Sequence, residues 1–89
     1  MWSRVEYSKD SFVDTEIFDN KIIQIVVVKK ENIFNNQDKL FGDYDIELGV
    51  FDSFGKRIEG EKIKGLNANT KQLENTLNKL KLEYEKKYN

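Results

Sequence analysis

Residues 21–30, KIIQIVVVKK, are apolar on both faces of an extended strand: Ile22, Val26 and Val28 fall on one side, Ile23, Ile25 and Val27 on the other. Residues 43–51, DYDIELGVF, alternate instead. Tyr44, Ile46, Leu48 and Val50 share one face and Asp43, Asp45 and Glu47 the other, the pattern of a half-buried strand. DSFG follows as a type I turn, with Gly55 where a positive φ is favoured, and KRIEGEKIK returns as the partner strand. Pairing Asp52 with Lys56 sets Val50 opposite Ile58. An unbroken ladder from there would put Ile63 on the acidic face. The pattern therefore predicts a bulge at Gly60-Glu61, which returns Ile63 to the side of Ile46 and sets Lys62 against Glu47 and Lys64 against Asp45.

Upstream, residues 2–8 predict a short strand and 12–18 (FVDTEIF) another. Asp19-Asn20 tolerates positive φ and suits a two-residue hairpin turn, which pairs Ile17 with Ile22 and Val13 with Val26. A helix over 10–18, capped by Asp10 or Ser11, is the competing expectation. Residues 31–42 (ENIFNNQDKLFG) predict a loop that turns at Asn35-Asn36 and carries four apolar residues, Ile33, Phe34, Leu40 and Phe41, folded onto a core or presented to a partner.

Residues 70–88 predict the C-terminal helix. Asn69 is the N-cap and Gln72 its capping-box partner. Leu73, Leu77, Leu80, Tyr84 and Tyr88 recur as one apolar stripe. Lys86 and Lys87 lie in the last turn, where the helix dipole favours cations, and Glu83 to Lys87 is a well-oriented i,i+4 pair. The expected fold is α+β: one domain over 1–89, an antiparallel sheet of four to five strands within 2–64, and one helix over 70–88 packed on one face. One helix covers one face of a sheet, so the second apolar face of 21–30 needs another cover. The candidates are the 31–42 loop, a helix at 10–18, or a second chain.

Composition narrows the chemistry. The 89 residues contain no histidine and no cysteine, which excludes Ser-His-Asp and Cys-His nucleophilic sites, Cys/His zinc sites and a disulfide framework. The five glycines are scattered and form no phosphate-binding loop. The row Asp43, Asp45, Glu47 is the one weak candidate for a divalent cation; as the solvated face of a strand opposite Lys62 and Lys64 it needs no ligand. No cofactor is expected and the chain reads as non-enzymatic. IIQIVVV is too short to span a bilayer, and MWSRVEYSKD lacks the apolar core of a signal peptide, so the expected compartment is the cytoplasm. Abundant Lys, Asn, Ile, Tyr and Phe is what AT-rich coding produces, and it points to a low-GC bacterium or a phage or other mobile element as the source.

Net charge is −1 but uneven: residues 1–55 carry 6 Lys/Arg against 11 Asp/Glu, residues 56–89 carry 9 against 5. Lys56, Arg57, Lys62 and Lys64 are therefore candidate phosphate contacts for single-stranded nucleic acid, with Trp2, Tyr7, Phe51 and Phe54 to stack on bases. Four strands followed by a helix, with YDIELG and the helix cap in comparable places, resembles the positive-cofactor-four type of single-stranded-DNA-binding protein. Such proteins dimerise through the helix. This resemblance of architecture covers about two-thirds of the chain. Against a nucleic-acid role, Glu59 and Glu61 interleave the lysines. Trp2, Phe34, Phe41, Phe51 and Phe54 are more aromatics than so small a core can hold, and exposed aromatics anchor protein interfaces. The leading expectation is a small protein-binding module, a regulator or inhibitor of a larger protein. Its anchors would be Phe34, Phe41, Phe51 and Phe54, and a homodimer is a further candidate assembly.

Overall fold

The computed structural model describes the backbone of residues 1–34 and 40–88, and the side chains of 1–31 and 41–88. It is an α+β fold: β1 (Ser3–Ser8), β2 (Ser11–Phe18), β3 (Lys21–Phe34), β4 (Leu40–Asp52) and β5 (Arg57–Ala68), then α1 (Thr70–Tyr88). The strands form one antiparallel sheet in sequence order, each beside its chain neighbours. The short connections allow this meander without a crossover.

Residues 11–18 are strand, not helix, and the Asp19-Asn20 hairpin has the expected register: Ile17 opposite Ile22, Val13 opposite Val26. Both ends of the expected loop at 31–42 are strand. Glu31–Phe34 and Leu40–Gly42 continue the β3–β4 ladder, with Ile33 opposite Phe41 and Phe34 opposite Leu40. One extra residue, Lys30, between the Lys29–Tyr44 and Glu31–Asp43 pairs keeps that extension in register. The predicted turn at Asn35-Asn36, and the side chains of Ile33, Phe34 and Leu40, lie outside the described residues.

The β4–β5 hairpin corrects a second expectation. Gly60 pairs with Gly49 and Glu61 with Leu48 in an unbroken ladder, so no bulge sits at Gly60-Glu61. The extra residue comes earlier: Phe51 pairs with Arg57 and Val50 with Glu59, which expels Ile58 to solvent. The shift still delivers Ile63 to Ile46 and Lys62 to Glu47. A second irregularity falls between Tyr44 and Ile46, where Gly65 takes φ +68° and its N–H donates to Asp45 Oδ1 at 3.0 Å, so Lys64 has no direct partner across the strand. The Cβ of an ordinary residue disfavours that φ.

Helix α1 lies over one face of the sheet. Its cap is the reciprocal box expected: Gln72 N–H donates to Asn69 Oδ1 at 2.8 Å and Asn69 N–H to Gln72 Oε1 at 2.9 Å. Leu73, Leu77, Leu80 and Tyr84 are buried against Ile23, Ile25, Val27, Tyr44, Ile46, Leu48 and Val50. Tyr88 adds partial cover, stacked on Tyr84 at 6.5 Å. Lys87 reaches across to Glu59 (2.8 Å) rather than along the helix to Glu83. No described helix is long and apolar enough to cross a membrane.

Candidate functional site: the uncovered face of the sheet

The helix occupies one side of the sheet; among the described residues nothing occupies the other. That open side divides into two unlike halves.

The β4–β5 half is charged, and its charges are largely answered within the chain. Lys30 Nζ stands 3.2 Å from Asp45 and 3.6 Å from Asp43. Arg57 pairs with Glu47 at 3.1 Å and donates to the Leu48 carbonyl at 3.3 Å. The Asp45 carboxyl lies below its ordinary value, chiefly through the Gly65 N–H and secondarily through Lys30. Asp43, Asp45 and Glu47 thus line one strand face as expected, but no three acidic side chains among the described residues are grouped to hold a metal ion. Of the four basic candidates, Arg57 is tied to Glu47, Lys62 pairs in register with Glu47, Lys64 is exposed within β5 at its second irregularity, and Lys56 is exposed in the turn just before β5.

The β1–β3 half carries no charge between Ser3 and Val28; Lys30 and Glu31 follow at the far end of β3. Its outward positions are Ser3, Val5 and Ser8 on β1, Ser11, Val13, Thr15 and Ile17 on β2, and Ile22, Gln24, Val26 and Val28 on β3. In a chain that is 35% charged, these eleven neighbouring positions are all neutral. Val5 (53% exposed), Ile17 (68%), Val26 and Val28 are open to solvent, and Tyr7 stands exposed at the β1 irregularity beside them. A depression of about 140 Å³ beside Val26 and Val28 reaches toward β5, where Asp45, Glu47, Lys62 and Lys64 also line it.

The side of β1–β2 that faces the helix holds what the open side lacks. Asp14 and Glu16 are 1% and 5% exposed, between Phe12 and Phe18 on the same strand face. Arg4, opposite Asp14, clamps it with two hydrogen bonds (2.7 and 3.0 Å), and Lys81 of the helix adds a third contact at 2.7 Å. Arg4 also bridges to Glu74 at 2.8 Å and lies 3.9 Å over the Phe12 ring. Glu16 accepts from the Met1 ammonium at 2.5 Å. Trp2 Nε1 donates to Glu85 of the helix, with Lys81 5.3 Å from the Trp2 ring. Desolvation alone would push the Asp14 carboxyl up; the hydrogen bonds from Arg4 and Lys81 together outweigh it and hold the carboxyl below its ordinary value.

The first hairpin is therefore inverted, with carboxylates inside and aliphatic side chains outside. A one-residue slip of β2 would exchange the two faces and bring Val13 and Ile17 under the helix. Nor does the buried cluster explain itself by stability, because apolar residues of the same volume in place of a buried ion pair are often neutral or stabilising.

The aromatic candidates do not form one patch. Phe54 sits at the tip of the β4–β5 turn, 93% exposed, its N–H held by Asp52 Oδ1 at 2.9 Å. Phe51 lies on the open face, half-buried, with its ring folded over Gly49, where a Cβ would meet it at 3.0 Å. Phe41 is half-buried at the far end of β4, ten residues or roughly 33 Å along the strand from Phe51. The Phe34 side chain lies outside the described residues. Sequence reasoning flagged Ile22, Val26 and Val28 but passed over Val5, Val13 and Ile17. The available signal was the pairing of Val13 with Val26 and Ile17 with Ile22, which places all four on one face. Comparison with family models, curated proteins and solved structures finds no match to this chain.

Proposed function

We propose that the protein is a non-catalytic protein-binding module whose interface is the charge-free face of β1–β3. The observation that carries this reading is the inverted polarity of β2, with Asp14 and Glu16 inside and Val13 and Ile17 outside. A sheet that buries carboxylates while exposing β-branched side chains keeps its apolar surface for another chain, and a contiguous exposed apolar patch marks an interaction site. Such a module works by occupying a surface, which is how a small regulator or inhibitor acts when that surface belongs to a larger protein. A nucleic-acid role gains less support, because the open face near β5 sets Glu47, Asp45 and Asp43 among its cations.

The test is affinity capture with paired baits. The wild-type chain is expected to retain a binding partner, its own copy included, that Ile17→Lys and Val26→Lys baits lose while Phe54→Ala keeps it. A partner held equally by both lysine variants would overturn the assignment of the face. In a gel shift at low salt, no oligonucleotide retention is expected.

A further inference from the structure

The geometry points to a second copy of this chain as the occupant of that face, packed sheet on sheet about a two-fold axis. The inference rests on the reading of the β1–β3 face as an interface and commits it to one partner.

Three features favour self-association. The first is electrostatic. A two-fold interface brings a patch against itself, so net charge on the patch would repel its own image. Between Ser3 and Val28 the face carries none; of the charges bordering it, Lys30 is paired with Asp43 and Asp45 and Arg57 with Glu47, while Lys62 and Lys64 stand at the β5 margin. Charge complementarity to a foreign surface would need free charge of one sign, which this patch does not offer.

The second is composition. Interfaces between unlike proteins concentrate their energy in Trp, Tyr and Arg anchors. Val, Ile and Thr lead here, as in the inner layer of a β-sandwich, and permanent homodimer interfaces resemble a domain core cut in half. Facing sheets would interdigitate these side chains about 10 Å apart, converting one helix–sheet pair into four layers, helix–sheet–sheet–helix.

The third is area. Five strands spaced about 4.8 Å apart and eight residues long give a face of roughly 24 by 26 Å, about 600 Å² in plan, and side-chain relief raises the accessible area above that. A standard interface takes about 800 Å² per partner. The charge-free half supplies the dry centre and the paired ions of β4–β5 the polar rim. The helix is not available as the dimer contact, because Leu73, Leu77, Leu80 and Tyr84 are spent on the chain's own core.

Light scattering with sedimentation equilibrium tests this on the full chain. The expected mass is twice 10.5 kDa, with a melting temperature that rises with protein concentration. Val26→Lys, whose cross-strand neighbour is Glu47, and Ile17→Lys, at a position already open to solvent, are each expected to give the single-chain mass or a large loss of affinity. Leu82→Lys on the exposed side of the helix should leave the dimer intact. Circular dichroism confirms that each variant is folded. If dimer and fold are lost together in a variant, the concentration-dependent melting of the wild-type chain decides. A wild-type chain of single mass at all concentrations overturns the proposal, as does a dimer that survives both face variants or one broken by Leu82→Lys. In the monomeric case anilinonaphthalene sulfonate fluorescence separates the two readings: binding abolished by Val26→Lys keeps the interface and assigns it a foreign occupant, while no binding removes both.

Discussion

The two strands that flank the central strand, β2 and β4, obey opposite rules. In β4 the apolar residues Tyr44, Ile46, Leu48 and Val50 face the helix and the acids face out toward Lys30, Arg57 and Lys62, while Glu59 and Glu61 of β5 lie on the helix side, Glu59 bonded to Lys87. In β2 the acids face the helix and the aliphatics face out. Both strands pack under the same helix and belong to one sheet, so the difference is neither solvent nor topology. A strand serving only its own core follows the first rule. The second rule removes carboxylates from water, and each then needs a cation at hydrogen-bond distance. On the proposed reading, surface that a chain exposes at such a cost has a second use.

That contrast can be broken in graded ways. Asp14→Ala should cost the most, about 4 kcal/mol in urea unfolding, because it strands Arg4 and Lys81 in a site built around a carboxylate. Replacing the whole cluster (Arg4→Met, Asp14→Leu, Lys81→Met) should restore or exceed the starting stability. If the triple variant is as weak as Asp14→Ala, the ion cluster is a stabilising element and the inverted hairpin needs no second use to explain it.

Leu48→Ala on the conventional strand should cost about 3 kcal/mol through the cavity it leaves between sheet and helix. The pH dependence carries the same contrast. The folded carboxyl of Asp14 lies below its ordinary value of 3.8, so its contribution is present above that pH and is lost as pH falls through the lower folded value. The acid limb of the stability curve should therefore flatten in Asp14→Asn. On the alkaline side, burial, with help from Glu61, pushes the Tyr84 hydroxyl up to about 12. Its contribution is complete below the ordinary value of 10 and is lost between there and 12; Tyr84→Phe should flatten that limb.

Asn69→Ala should cost about 1 kcal/mol, the value of a helix cap. Smallest of all, Glu47→Gln should change stability by about 0.5 kcal/mol or less, since its pair with Arg57 is exposed and solvent-screened.

What the sequence disclosed follows the range of the forces involved. The Asn69–Gln72 cap, the helical stripe and the Asp19-Asn20 hairpin are set by residues a few positions apart, and each has the expected form. The extra residues of β5 were misplaced because their position depends on distant partners. Arg57 folds across Gly60 to reach Glu47 and the Leu48 carbonyl, which keeps the Gly49–Gly60 pair in the ladder and moves the irregularities to Ile58 and Gly65. The 31–42 segment reads as a loop through its Asn and Asp content, whereas pairing with the opposite arm carries strand through its ends. The inverted hairpin was hidden for a sharper reason. FVDTEIF alternates equally well either way up, and only Arg4 and Lys81, one from the neighbouring strand and one from a helix more than sixty residues away, decide which parity is inside.

The rims of the sheet set how far association can go. The outer strand at one side is six residues long and kinked at Tyr7; the other is twice interrupted, at Ile58 and at Gly65, and studded with lysines. Broken and charged margins of this kind resist the addition of further strands. Growth sideways into a fibre is thereby discouraged, and the face-to-face pairing proposed above would close on itself after a single partner has docked.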